Sequence, residues 1–340
     1  MNYVAYIALG GEDAILRFAM NPADGSLTLQ ELLSLAGSPG PLAVDPTQQR
    51  LYVGLRSTSE LVSFQIERPT GVLRPFGPAA HLDTDPCYLS IDRSGRFLLA
   101  AYYRGGKATV HPLATDGSIG AEAVCTVKTL PYAHCLEADA SNRFAFLPHV
   151  AESNTIYQFK FDANTGQLHP NTPAQVTPAS GVGPRHYLYH PTKAIVYTSN
   201  EQGGSVTAYH LDETNGTLTP FQTLSTLPPD FAGENSCAQI HIDPAGRFLY
   251  VSNRGHNSIA CFTVDAGDGH LTAIGQQPTE PTPRAFNVDP TGHFLYVTGQ
   301  GSNRLASYRI DQQRGTLQAL TTMYIGERPM WLMVLALPDA

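Results

Sequence analysis

The chain has 340 residues, 42% of them hydrophobic, and a formal net charge of -8. That balance disfavours binding to nucleic acid, where affinity rests on cationic contacts to the phosphate backbone, and no apolar run is long enough to cross a membrane as a helix. The five cysteines are odd in number and form no C-x-x-C pair, which points to reduced thiols in the cytoplasm; Met1-Asn2-Tyr3 begins no basic and apolar leader, so no signal peptide is expected.

From the N-terminus onward one short phrase returns: a turn residue, Gly, a variable residue, then Leu or Ile. The copies are Asp24-Gly25-Ser26-Leu27, Thr70-Gly71-Val72-Leu73, Asp116-Gly117-Ser118-Ile119, Thr165-Gly166-Gln167-Leu168, Asn215-Gly216-Thr217-Leu218, Asp268-Gly269-His270-Leu271 and Arg314-Gly315-Thr316-Leu317. Their spacing, 46 to 53 residues, is that of stacked or radial repeats. Asp-Gly and Asn-Gly supply the positive φ angles of hairpin turns.

A second turn falls inside six of the seven repeats, at Asp45-Pro46, Asp92-Arg93-Ser94-Gly95, Asp139-Ala140-Ser141-Asn142, His190-Pro191, Asp243-Pro244-Ala245-Gly246 and Asp289-Pro290-Thr291-Gly292. Short alternating apolar runs flank it, such as Gln239-Ile240-His241-Ile242 before and Phe248-Leu249-Tyr250-Val251 after. Such runs are strands, about four to a repeat, A to D, with no convincing helix. Residues 1–340 therefore read as a single all-β domain, a seven-bladed β-propeller with four antiparallel strands per blade. Tyr6-Ile7-Ala8 aligns with Tyr250-Val251-Ser252, and Arg328 to Val334 aligns with the A strand from Thr282 to Val288. The closing blade is thus expected to be shared, its inner strand from the C-terminus and its outer three from the N-terminus, which removes free sheet edges. The least regular stretch, Leu227 to Ser236, lengthens one connection between blades.

Strands A and B meet at the rim opposite the Asp-Pro turn. Counting from that turn places Gly40, Pro86, His134, Arg185, Ala238, Arg284 and Met330 at the start of A. Arg56, Tyr103, Val150, Glu201, Arg254, Gln300 and Gly10 stand at the end of B. The repeats agree elsewhere and diverge at these two rings. A ligand without the ring's symmetry would break it there. His134, Arg185, Glu201 and Arg254 are the candidate catalytic residues; His186, Arg284, Gln300 and Arg56 are candidate substrate contacts. Each has a plainer alternative: Arg185 capping a blade through Glu201, Arg56 solvated or bridging blades, His134 a satisfied rim histidine. His149 is a weaker candidate, and His241 reads as packed in mid-strand. No H-x-x-x-H or H-E-x-x-H spacing, G-x-S-x-G elbow or Walker loop occurs, so neither a metal nor a cofactor is expected.

Gly183-Pro184-Arg185-His186, Tyr197-Thr198-Ser199-Asn200-Glu201, Phe248 to Arg254, Pro283 to Asp289 and Pro329-Met330-Trp331 together resemble the lactonase-type seven-bladed propellers, closest to their bacterial cycloisomerase-like 6-phosphogluconolactonase branch. The resemblance spans essentially the whole chain. It implies metal-free hydrolysis of 6-phospho-D-glucono-1,5-lactone in the oxidative pentose phosphate pathway. The expected partner is then a small phosphorylated sugar lactone, and the expected assembly a monomer or weak homodimer. A sister branch, the fungal carboxymuconate cyclases, uses a rim His, Glu and Arg on an anionic lactone; His134, Arg185, Glu201 and Arg254 fall at the matching positions. Two other readings stay open: a carboxymuconate cycloisomerase-type enzyme, and a non-catalytic propeller that binds a ligand or protein.

Overall fold

Every Gly-x-Leu phrase makes the same bend. All seven glycines take positive φ, from 69° at Gly216 to 88° at Gly117, where any other residue is strained by its Cβ. Each bend returns the chain antiparallel, as from Ser205–Asp212 to Thr217–Ser225. The Asp of the second turn recurs because it ties its own turn. Asp139 Oδ1 accepts from the backbone N–H of Arg143 and Phe144, both at 2.8 Å, and Asp92 does the same for Arg96 and Phe97.

The computed structural model describes residues 1–338. Their strands form seven antiparallel sheets of four, the blades of a propeller. A 3₁₀ turn at Ala151–Ser153 is the one helical element among the described residues, a short departure from the expectation of none. The closing blade is shared as expected: Pro329–Leu337 pairs with Asn2–Leu9, followed by Ala14–Met20 and Leu27–Ser34.

The two repeated turns also lock neighbouring blades together. A tyrosine in strand B donates its hydroxyl to the carbonyl of the next blade's turn glycine. The pairs are Tyr6 to Gly71 at 2.6 Å, Tyr52 to Gly117 at 2.9 Å, Tyr197 to Gly269 at 2.7 Å, Tyr250 to Gly315 at 2.9 Å and Tyr296 to Gly25 at 2.8 Å. Apolar packing lies between the same blades: Ile7, Phe18 and Leu332 of the closing blade meet Tyr296 and Leu305 of the sixth. On its other side Tyr6 and Leu335 meet Leu51 and Phe64 of the first.

Two irregularities place the rim residues. The pairing of strands A and B slips just where A begins, between Pro184 and His186 and between Pro283 and Ala285, so Arg185 and Arg284 are the extra residues of β-bulges. Met330 occupies the same slip in the closing blade. A bulge re-aims the side chain it carries. The bulge leaves Asn200 opposite Pro184 rather than Arg185. In the third blade strand A shrinks to Glu137–Ala138, and Tyr132, at φ 69°, bends the preceding chain so that His134 reaches the channel on irregular backbone. The His134 N–H still donates to Pro148 O at 3.0 Å.

Candidate active site at the channel mouth

Arg56, His134, Arg185, His186 and Arg284 line one cavity at the axis. Five of the eight residues expected at a site are thus neighbours. Blade two contributes Cys87 to this cavity, not Pro86, because the count back from Asp92 had run one residue too far. Glu201 and Arg254 stand behind the wall: Arg185 Nε lies 2.7 Å from Glu201 Oε2, and Arg254 Nη2 lies 3.1 Å from the same oxygen. The first contact is too poorly aligned for a hydrogen bond, and Arg185 Nη1 is buried without a partner among the described residues. Arg254 also donates to Cys237 O at 2.9 Å. Arg56 pairs with Asp85 of the next blade, its Nε at 3.0 Å and its Nη2 at 2.5 Å from Oδ2. It bridges blades and lines the cavity at once. Gln300 stays outside the wall, its Nε2 3.0 Å from the Met330 sulfur.

Arg284 differs from the other three arginines. No carboxylate or hydrogen-bond acceptor pairs with it among the described residues. Burial, then Arg185, Arg254 and Arg56, push it down to about 9. Burial and Arg254 bring Arg185 to about 10. Both remain cationic at neutral pH. They mark a place with more positive charge than the protein itself balances.

The two histidines touch: His186 Nε2 lies 3.2 Å from His134 Nδ1. Burial comes first, and Arg185 next, in holding both well below the ordinary imidazole range. Both rings are therefore neutral at pH 7. One donates and the other accepts in that contact. Tyr103 packs edge-on against His134, with ring centroids 5.6 Å apart, and Tyr88 against His186 at 5.1 Å.

Sequence reasoning missed Cys87, Gln239 and Trp331 in the wall. The Cys87 thiol donates to the carbonyls of Ala101 and Ala133 at 3.3 Å, and burial pushes it up to about 11, which makes it a poor nucleophile. His149 is fully buried, with contacts of 2.9 Å to Leu147 O and to Thr129 Oγ1, a packed histidine outside the site. Among the described residues no group of three or more His, Cys, Asp or Glu is placed to hold a metal ion, and no helix is long and apolar enough to cross a membrane.

Comparison with known proteins agrees with this architecture. Residues 2–334 match the family described as lactonase, 7-bladed beta-propeller. A 6-phosphogluconolactonase of Pectobacterium carotovorum is 38% identical over 337 residues, covering 99% of this chain and all of that one. One from Serratia proteamaculans is 36% identical over 336 residues, with the same coverage. The solved structure of a periplasmic gluconolactonase from Pseudomonas aeruginosa superposes with a TM-score of 0.91 at 25% identity, over 99% of this chain and 100% of that one. With a family match along nearly its whole length and full-length relatives above a third identical, the chain belongs to the seven-bladed β-propeller lactonases.

Proposed function

We propose that the chain is a 6-phosphogluconolactonase, a carboxylic ester hydrolase that opens 6-phospho-D-glucono-1,5-lactone to 6-phosphogluconate. The observation that carries this reading is the charge at the channel mouth. Four arginines, Arg56, Arg185, Arg254 and Arg284, face two carboxylates, Asp85 and Glu201. Two positive charges are left over in a protein of net charge -8. A phosphate monoester near neutral pH supplies about two negative charges, and guanidinium forks pair with it bidentately.

In this reading Arg284, free of any carboxylate, holds the phosphate, with Arg56 as its neighbour. Arg185 Nη1, buried and unpartnered, faces the lactone carbonyl oxygen, which gathers negative charge as water attacks. Glu201 and Arg254 hold Arg185 in position. His134 is the base: its Nδ1–H donates to His186 Nε2, leaving His134 Nε2 with a lone pair to take a proton from water. The oxygen of that water bonds to the carbonyl carbon. The tetrahedral intermediate then collapses, the bond from that carbon to the ring oxygen breaks, and the His134 proton passes to the departing oxygen. The same charge surplus suits a muconate carboxylate, so a carboxymuconate lactone serves as the comparison substrate.

Five buried free cysteines support a cytoplasmic protein, since an oxidising compartment would select for paired thiols. NMR of freshly made 6-phosphogluconolactone should show opening accelerated well above the spontaneous rate, with much less effect on unphosphorylated gluconolactone. Equal acceleration of both lactones, or turnover only of the carboxymuconate lactone, would refute the assignment.

A further inference from the structure

The channel contains a second cavity, below the first. It has a volume of about 270 Å³ and shares only Gln239 and Trp331 with the upper wall. It reaches the face of the A–B turns, where the exposed Arg93 forms part of its rim. Besides Arg93 and Gln239, one level of strand A supplies its polar groups: Ser90, Glu137, His241 and Asn287. In the sheets these sit opposite Leu99, Phe146, Tyr250 and Tyr296. The same level in the first, fourth and closing blades carries Ala43, Leu188 and Met333, opposite Tyr52, Tyr197 and Tyr6. The blades that agree on the outer tyrosine therefore disagree on the inner residue. That is the same break in symmetry that marks the upper rim, and the sequence reading had placed it only there.

We propose that this lower cavity is a second ligand site, shaped for an uncharged, hydroxylated ring compound of the sugar class. Its walls are largely apolar and aromatic with a few convergent polar groups, the usual make-up of a small-molecule pocket. Trp331 and Tyr88, with ring centroids 5.5 Å apart, offer ring surface to a carbon skeleton. Glu137 Oε1 takes the Tyr88 hydroxyl, while Glu137 Oε2 has no hydrogen-bond partner among the described residues. Asn287 Oδ1 is taken by Val334 N–H at 3.1 Å, and its Nδ2 makes only a long 3.5 Å contact with His241 Nδ1. One acceptor and one donor are thus left for a ligand's hydroxyl groups.

The charges argue against an ion. Burial raises the Glu137 carboxyl, with Tyr88 and Arg93 opposing, and holds His241 near 4 and so neutral. A cation would meet the Arg93 guanidinium at the rim, and an anion would meet the Glu137 carboxyl inside. The upper cavity has surplus positive charge. The two ends of one channel therefore sort ligands by charge, and the lower site does not depend on which lactone the upper one takes.

Trp331 is the single tryptophan of the chain and lies between the cavities, so its fluorescence reports on both. D-glucose should change it saturably, with a midpoint in the millimolar range that saturating inorganic phosphate leaves unmoved. Asn287→Leu and Glu137→Gln should each raise that midpoint at least tenfold, while Arg284→Met leaves it in place. The absence of a saturable change would overturn the proposal. So would a midpoint that rises with phosphate or with Arg284→Met, or gluconate or glucosamine binding more tightly than glucose. Should either lower-site variant fail to fold, the phosphate competition in the unaltered protein still decides the matter.

Discussion

Arg185 and Arg284 carry the same charge at the second position of comparable strands, yet they should fail differently when removed. In the proposed roles Arg185 Nη1 meets a charge that forms only as water attacks, so Arg185→Ala should lower kcat on the order of 10²-fold. Arg284, in the same proposal, meets a charge present throughout, so Arg284→Met should chiefly raise KM for the phosphorylated lactone. Similar losses in kcat for both would sink this division of roles. The pH profile supplies a second check. A base must be unprotonated, and both histidines are held well below 6.5. Activity should therefore stay level as pH falls through 6.5 and decline only in more acid solution. Arg284 is one of the charges holding both rings down. Its replacement should move the acid limb upward, toward the ordinary imidazole range; an unmoved limb would remove His134 from the base role. The places of Arg185 and His134 on the cavity wall were legible because the repeats stop agreeing at those positions. The plainer alternative for Arg185 matches its geometry, since Glu201 lies against both Arg185 and Arg254. The isolation of Arg284 was not legible, because whether a charge has a partner depends on neighbouring blades rather than on spacing along the chain.

Turns and strands repeat the lesson at the next scale. The Gly-x-Leu turns could be read directly because left-handed backbone leaves a residue signature. Gly216 shows how strongly it is required: a Cβ there would lie 2.0 Å from Phe144 Cδ1, on top of a φ of 69°. Gly216→Ala should cost roughly 1–3 kcal/mol, the range for strained backbone at a fixed site, seen as a lower denaturant midpoint. Tyr250→Phe should cost about 1 kcal/mol through its lost bond to Gly315 O. A Gly216→Ala protein as stable as its parent would mean that the turn can relax. The bulges at Arg185 and Arg284 left no comparable trace. A bulged residue needs neither glycine nor proline, so counting from the turn does not reveal it. The short A strand of the third blade escaped for a similar reason. The strand follows a bend at Tyr132, an ordinary residue at positive φ.

A ring of blades concentrates its closure in one strand. Pro329–Leu337 pairs with Asn2–Leu9 from Asn2↔Leu337 to Leu9↔Pro329. Leu332 and Val334 pack with residues of the sixth blade, while Leu335 and Leu337 pack with the first. Removing the chain from Pro329 onward would strip the inner edge of the closing blade and uncover both apolar seams. It would also delete Trp331, the partition between the two cavities. Each buried leucine or valine contributes about 1.5–3 kcal/mol, and a domain is stable by only about 5–15 kcal/mol in all. Four such side chains are therefore enough to threaten the whole ring. The full chain should melt in one cooperative transition, as expected of a single domain. The truncated chain should aggregate through its exposed Asn2–Leu9 edge or unfold at a much lower temperature. A truncated protein that melts with the full one would mean that the other six blades hold without closure, and that the C-terminal strand serves the channel rather than the fold.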